Sequence, residues 1–98
     1  MKSVSWWQKA LSDGATRKFP NSGWSHTDRL ASIEEQLEDV KASFKVESGE
    51  LQSDDHAHQD PNHRIGALIA DILILAEERN ADIESELEKV LAWFEGRI

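Results

Sequence analysis

The sequence predicts an all-α protein, an antiparallel bundle of about four helices that forms a single domain over residues 1–98. Two observations predict this class. Apolar residues recur three or four positions apart in segments that follow a Ser or Asp suited to cap a helix. We find no segment with the alternating pattern of a half-buried strand. A chain of this length is suited to one small hydrophobic core.

The first 25 residues are predicted to form a short helix followed by a loop. The helix is expected from about Ser3 to Leu11 and should end near Gly14. The loop "DGATRKFPNSGWS" is rich in Gly, Pro, Asn and Ser.

The second helix has a clear predicted start. Ser25 is a candidate N-cap, and Asp28 follows three residues later as the acid of a capping box. The apolar residues then follow a narrow stripe at helical spacing as far as about Val46. They are Leu30, Ile33, Leu37, Val40 and Phe44.

A polar loop is expected over residues 47–60, before two further helices. Asp60 and Pro61 have the cap and first-turn chemistry that starts the third helix, which should run to about Arg79. Asn80 is a candidate left-handed stop, and Asp82 is a candidate cap for the fourth helix.

Composition narrows the classes of function. The chain has no cysteine, which excludes disulfides and thiolate chemistry, and its N-terminus has no long apolar run. The net charge of −8 comes without a basic patch, so we expect neither nucleic acid nor a membrane as a partner. We expect a cytoplasmic protein in which a cation mediates any contact with phosphate.

The third helix is apolar nearly all round from Ile65 to Ala76, which predicts a homodimer or a higher homo-oligomer with this helix near the interface. Asp71 interrupts the apolar run. A buried carboxylate needs a partner. One hypothesis is a cation shared with Glu34, Glu35 and Glu38 of the second helix. The alternative is a structural pair, for which the candidate partners are Arg17, Arg64, Lys41 and a tryptophan indole.

The motif Glu34-Glu35-x-x-Glu38, "DPNH" and "IADILILAEERNADIESELEKV" together resemble the all-α nucleoside triphosphate pyrophosphohydrolases of the MazG-like superfamily. The resemblance covers about Leu30 to Val90. It implies a dimeric enzyme that hydrolyses a nucleoside triphosphate with Mg²⁺, or alternatively Mn²⁺. The resemblance implies that the metal ligands and catalytic residues are Glu34, Glu35, Glu38 and Asp71.

The sequence departs from the family pattern at two positions. The second acidic motif of the family has a glutamate where this chain has Leu68, and an asparagine is absent near Trp93. Lys89 matches a lysine of the last helix. Lys89 would then contact the nucleotide. Trp93 or Trp24 could stack on its base, and the alternative for the tryptophans is packing in the core or at the dimer interface.

The missing glutamate leaves two interpretations open. Asp39, Glu78 or the loop before the third helix could supply the ligand, and His56, His58 and His63 lie in or next to that loop. Alternatively, the chain is a catalytically inactive helical protein for dimerisation or interaction on the same scaffold. The state of Asp71 separates these interpretations, because a metal ligand needs accessible oxygens and a structural carboxylate pairs with a basic residue.

Overall fold

The chain is entirely helical in the parts that its computed structural model describes, which are residues 1–50 and 60–97. No strand occurs in those ranges. The all-α class predicted from the sequence is therefore confirmed. The four helices are α1 (Val4–Lys18), α2 (His26–Ser48), α3 (Pro61–Glu78) and α4 (Ile83–Phe94).

Helix α1 is longer than predicted. The sequence indicated an end near Gly14, but the helix continues to Lys18. One glycine inside a helix costs only about 1 kcal/mol relative to alanine, which the rest of the helix can offset. The helix ends where proline chemistry requires it, because Phe19 precedes Pro20 and a residue before proline disfavours helical backbone.

The helix starts follow the predicted caps. At α2, the Ser25 side chain accepts from the Asp28 amide and the Asp28 side chain accepts from the Ser25 amide, forming a capping box. Asp60 accepts from the amide of Asn62 at 2.9 Å at the start of α3. Asp82 accepts from the Ser85 amide at the start of α4. The predictions for Ser25, Asp60 and Asp82 are confirmed.

Three helices end on a residue with left-handed backbone. Gly49 follows α2 with φ of 84°, Asn80 follows α3 with φ of 56°, and Gly96 follows α4 with φ of 71°. After each of them, the next amide bonds to the carbonyl five residues back, the pattern that satisfies the last carbonyls of a helix. The prediction for Asn80 is confirmed.

The described helices belong to two compact units. The first unit contains Met1–Ser22 and Leu73–Ile98, and the second unit contains Gly23–Ile72. Helix α3 contributes to both, because the boundary falls between Ile72 and Leu73.

The second unit is an antiparallel pair formed by α2 and the first part of α3. Arg29, near the start of α2, pairs with Asp71 at 2.8 Å, and Asp39, further along α2, pairs with Arg64 at 3.4 Å. Since the residue numbers rise on α2 while they fall on α3, the two helices run in opposite directions. These two ion pairs define the register of the hairpin.

The apolar stripe of α2 is mostly exposed. Val40 is buried, but Leu30, Leu37 and Phe44 each keep 44–50% of their surface exposed. The side of α2 that lies against α3 carries Arg29 and Ser32 instead. The two polar bonds to Asp71 orient α2 and leave those three apolar side chains outside the seam.

The first unit brings α1 and α4 into contact. Its organising side chain is Gln8, which is 5% exposed. The Gln8 amide nitrogen donates to the Ala81 carbonyl at 2.6 Å and to Glu77 at 3.1 Å. The Val4 amide at the start of α1 donates to Glu84 at 3.0 Å. These bonds tie α1 to the turn that joins α3 and α4.

Within the described ranges, no helix combines the length and the apolar character that crossing a membrane requires.

We predict that Asn80→Ala lowers the free energy of unfolding by about 1 kcal/mol, because alanine lacks the short polar side chain with which asparagine can bond to the local backbone in the left-handed conformation. Asn80→Gly should keep or slightly raise that free energy. Chemical denaturation of both variants measures the difference. An equal loss in both would indicate that the Asn80 side chain, and not its backbone conformation, stabilises the turn.

Candidate functional site

The residue that the sequence singled out, Asp71, is buried and has a partner for each carboxylate oxygen. The Arg29 guanidinium donates to Oδ1 at 2.8 Å, and the Ser32 hydroxyl donates to Oδ2 at 2.5 Å. The Asp71 side chain is 8% exposed and the Arg29 side chain is 13% exposed. A positive charge and a hydroxyl thus replace the hydration that the buried carboxylate loses.

Local structure places Arg29 for this contact. It lies in the first turns of α2, which the Ser25–Asp28 capping box starts at a fixed point. The Trp24 ring, just before the helix, lies 4.7 Å from the Arg29 guanidinium carbon, within cation–π range. The guanidinium therefore contacts both the Trp24 ring and the Asp71 carboxylate. Trp24, Arg29 and Asp71 thus form a chain of contacts within one unit.

The identity of the partner corrects the sequence analysis. That analysis considered Arg17, Arg64, Lys41 and a tryptophan indole, but not Arg29. Arg64 pairs with Asp39 and Lys41 pairs with Glu38 at 3.1 Å. Arg29 lies 42 residues before Asp71, so only the antiparallel register of α2 and α3 brings the two together. No local pattern in the sequence contains that register.

The three glutamates of the α2 motif are on the solvent side. Glu34, Glu35 and Glu38 are exposed, and Glu38 bonds to Lys41. At about 100° per residue, Glu34 and Glu38 point away from the side of α2 that Ser32 presents to Asp71. The glutamates lie on the same helix as the partners of Asp71, but they do not lie next to Asp71.

This arrangement does not fit a magnesium ion held jointly by the glutamates and Asp71. Carboxylates that share one Mg²⁺ must converge on its octahedral oxygen shell, whereas both Asp71 oxygens already accept bonds, one of them from a cation. In the residues that the structure describes, no three His, Cys, Asp or Glu side chains are grouped to hold a metal.

The substitute ligands considered for the missing glutamate are dispersed. Leu68 is partly buried on α3. Asp39 pairs with Arg64 at 3.4 Å. Glu78 is exposed and belongs to the other unit, and His63 is exposed in the first turn of α3. His56 and His58 fall outside the described residues.

The two residues expected to contact a nucleotide lie on α4. Lys89 is exposed and bonds to Glu86 at 3.1 Å. Trp93 is 65% exposed, with its ring centroid 5.3 Å from that of Phe94. Both belong to the first unit, whereas Asp71 and the glutamates of α2 belong to the second.

The first unit contains an open cleft of about 290 Å³ that the sequence analysis missed. It is lined by Ser5, Gln8, Glu77, Asn80, Ala81 and Asp82. Two carboxylates in so small a lining make it a poor site for a bare phosphate. Gln8 lies on a helix without any motif around it, so no sequence signal indicated its burial.

Comparison with protein-family models, with curated proteins and with solved structures finds no match to this chain.

We predict that Arg29→Leu lowers the free energy of unfolding by about 3 kcal/mol, because it leaves the buried Asp71 carboxylate without its cation. The double variant Arg29→Leu/Asp71→Leu should cost less than this single variant, since it removes both charges. Chemical denaturation of the two singles and the double gives the coupling.

Arg64→Leu is the matched control, because its partner Asp39 is 49% exposed. An exposed pair contributes at most about 1 kcal/mol. If Arg29→Leu cost no more than Arg64→Leu, Asp71 would not depend on the Arg29 charge.

Proposed function

We propose that this chain is a helical interaction protein that works as a homodimer, and that Asp71 serves its structure instead of binding a metal. One observation carries the proposal: both oxygens of Asp71 accept bonds, from Arg29 and from Ser32. The two functions considered from the sequence differ at this residue. An enzyme of the kind that the resemblance implies needs Asp71 as a metal ligand, and an interaction protein needs it paired with a basic residue.

The exposed apolar surface supports the part of the proposal that concerns association. Every helix carries large apolar side chains that are at least 36% exposed. Among the hydrophobic residues of the described parts, only three are buried. The buried ones are Val40, Leu73 and Ala76. A small soluble protein that exposes so much apolar surface and buries so little gains stability when a partner covers that surface. The partner proposed is a second copy of the chain.

Hydrolysis of a nucleoside triphosphate with Mg²⁺ remains the alternative. It rests on the resemblance and on one observation, the exposure of Glu34, Glu35 and Glu38 on one helix, where a phosphate-bound cation has access to them. Titration of the protein with Mg²⁺ or Mn²⁺ tests both functions.

We predict that titration of the wild type with Mg²⁺ or Mn²⁺ gives no binding heat beyond that of a blank without protein, with or without nucleoside triphosphates, and that Asp71→Asn behaves the same way. The physical reason is that a cation would have to displace the Arg29 guanidinium from a buried carboxylate. Sedimentation of the same samples should give a dimer at all metal concentrations.

Metal binding by the wild type that is lost in Asp71→Asn would overturn the interaction protein in favour of the hydrolase. Glu86→Gln on α4 is a control for the loss of one exposed carboxylate elsewhere in the chain. A wild type that neither binds metal nor dimerises would overturn both functions.

A further inference from the structure

We infer that one side of the α2–α3 hairpin is the surface on which a second copy docks, with the two-fold axis passing at Leu37. This inference rests on the proposed function and gives its interface. The surface, called the hairpin face below, lies wholly within the unit Gly23–Ile72. It is made of two rows of apolar side chains, Leu30, Leu37 and Phe44 on α2 and Ile65, Ile69 and Ile72 on α3.

The two rows lie on the same side of the hairpin. Arg29, Ser32 and Asp39 mark the side of α2 that faces α3, and Arg64 and Asp71 mark the side of α3 that faces α2. On each helix, the apolar row lies about 100° around the helix axis from the side that faces the other helix. Viewed along the direction of the chain, this rotation has the same sense on both helices. Because the helices are antiparallel, the same sense of rotation takes both rows to one side.

The size of the hairpin face indicates an interface. Its six side chains are 36–50% exposed, so about half of their surface remains to be buried. Together they leave on the order of 500 Å² of apolar surface exposed, near the upper end of the largest patch on a typical monomer. A standard interface buries about 800 Å² on each partner, which this face and its polar rim can supply.

The positions of the side chains along the hairpin axis, called levels below, make the face complementary to the same face of a second copy. The Arg29–Asp71 and Asp39–Arg64 pairs place Leu30 beside Ile72, and Leu37 beside Ile65. Phe44 lies beyond Ile65, the first member of the α3 row, so the α3 row, as far as the structure describes the chain, has no member level with this ring. One end of the face thus has two aliphatic side chains and the other end has one aromatic ring.

A two-fold axis at Leu37 matches these unequal ends. Leu30 and Phe44 are each seven residues from Leu37, about 10.5 Å along the helix. Reversal of the second copy therefore brings its Phe44 to the level of Leu30 and Ile72 in the first. The centre then contains Leu37 and Ile65 from both copies. Each end then receives two aliphatic side chains and one ring, and the centre receives four aliphatic side chains, so apolar groups from both copies meet at all three levels.

The charges on the rim obey the same symmetry. Glu34 and Lys41 are exposed on α2 and border the hairpin face on the side away from α3. With the axis at Leu37, Glu34 of one copy comes within about 1.5 Å, along the helix axis, of the level of Lys41 in the second copy. The dimer contains this pairing twice. Opposite charges at matching levels favour a second copy over an unrelated apolar partner.

The experiment is sedimentation of the full chain over a range of concentrations, for the wild type and for Leu37→Glu. The substitution places two carboxylates opposite each other at the axis. It should weaken the dimer roughly 100-fold, as expected for a residue at the centre of an interface. Circular dichroism monitors the fold, because Leu37 is already 44% exposed and its replacement should leave the helix content unchanged.

The rim provides a second test with variants that do not alter the apolar face. Glu34→Lys alone and Lys41→Glu alone each place like charges at both rim positions and should weaken the homodimer about tenfold. An equimolar mixture of the two variants should recover a heterodimer of wild-type strength, because each lysine then meets a glutamate. Glu86→Lys and Lys89→Glu alter a similarly exposed pair on α4 and should change nothing.

The outcomes separate this inference from the proposed function. If the wild type is a dimer but Leu37→Glu and both rim variants dimerise equally well, the hairpin face is not the interface, while the proposed homodimer stands. If the wild type remains monomeric at every concentration, the homodimer and this inference both fail, and the face is left for a different protein. Recovery in the mixture, together with dissociation of Leu37→Glu, supports the axis at Leu37.

Discussion

The ion pair between Arg29 and Asp71 determines how the α2–α3 hairpin is assembled. A carboxylate inside the apolar run of α3 is stable only when a cation and a hydrogen-bond donor replace its hydration, and Arg29 and Ser32 provide them. Because these donors lie in the first turns of α2, the pair sets the register and the antiparallel sense of the two helices. It also decides which side of α2 faces the seam, and therefore which apolar side chains remain outside it.

Helix α2 carries several buried polar groups. Ser32 bonds to Asp71 in the seam with α3, Ser43 is fully buried, and the Gln36 side-chain oxygen is buried without a hydrogen-bond partner among the described residues. Such a seam specifies alignment more than it contributes hydrophobic stability. The apolar residues that could contribute it, such as Leu37 and Ile69, lie on the hairpin face. Fold and assembly are then linked, because the interaction that aligns the helices also exposes the surface proposed to pair.

The sequence was sufficient for features that depend on neighbouring residues. Caps such as Ser25 and the stop at Asn80 work through bonds within a few residues, and both were predictable. The end of α1 was misjudged because Gly14 has an intrinsic cost that the surrounding helix overcomes. Arg29 could not be identified as the partner of Asp71, since the two residues are 42 positions apart in the sequence and meet only through the register of α2 against α3. The apolar period of α2 was correct, but a period does not show whether a stripe packs within the chain or remains outside.

The contrast in burial between the ion pairs has a consequence for ionic strength. The Arg29–Asp71 pair is almost inaccessible to solvent, so dissolved salt screens it little. Glu34 and Lys41 on the rim are exposed. Dissolved salt therefore screens the attraction proposed between Glu34 of one copy and Lys41 of the other. The net charge of −8 on each copy opposes association at low salt and is screened as well. We therefore expect the alignment of the hairpin to be constant across ionic conditions, whereas the strength of the proposed dimer should vary with the salt concentration.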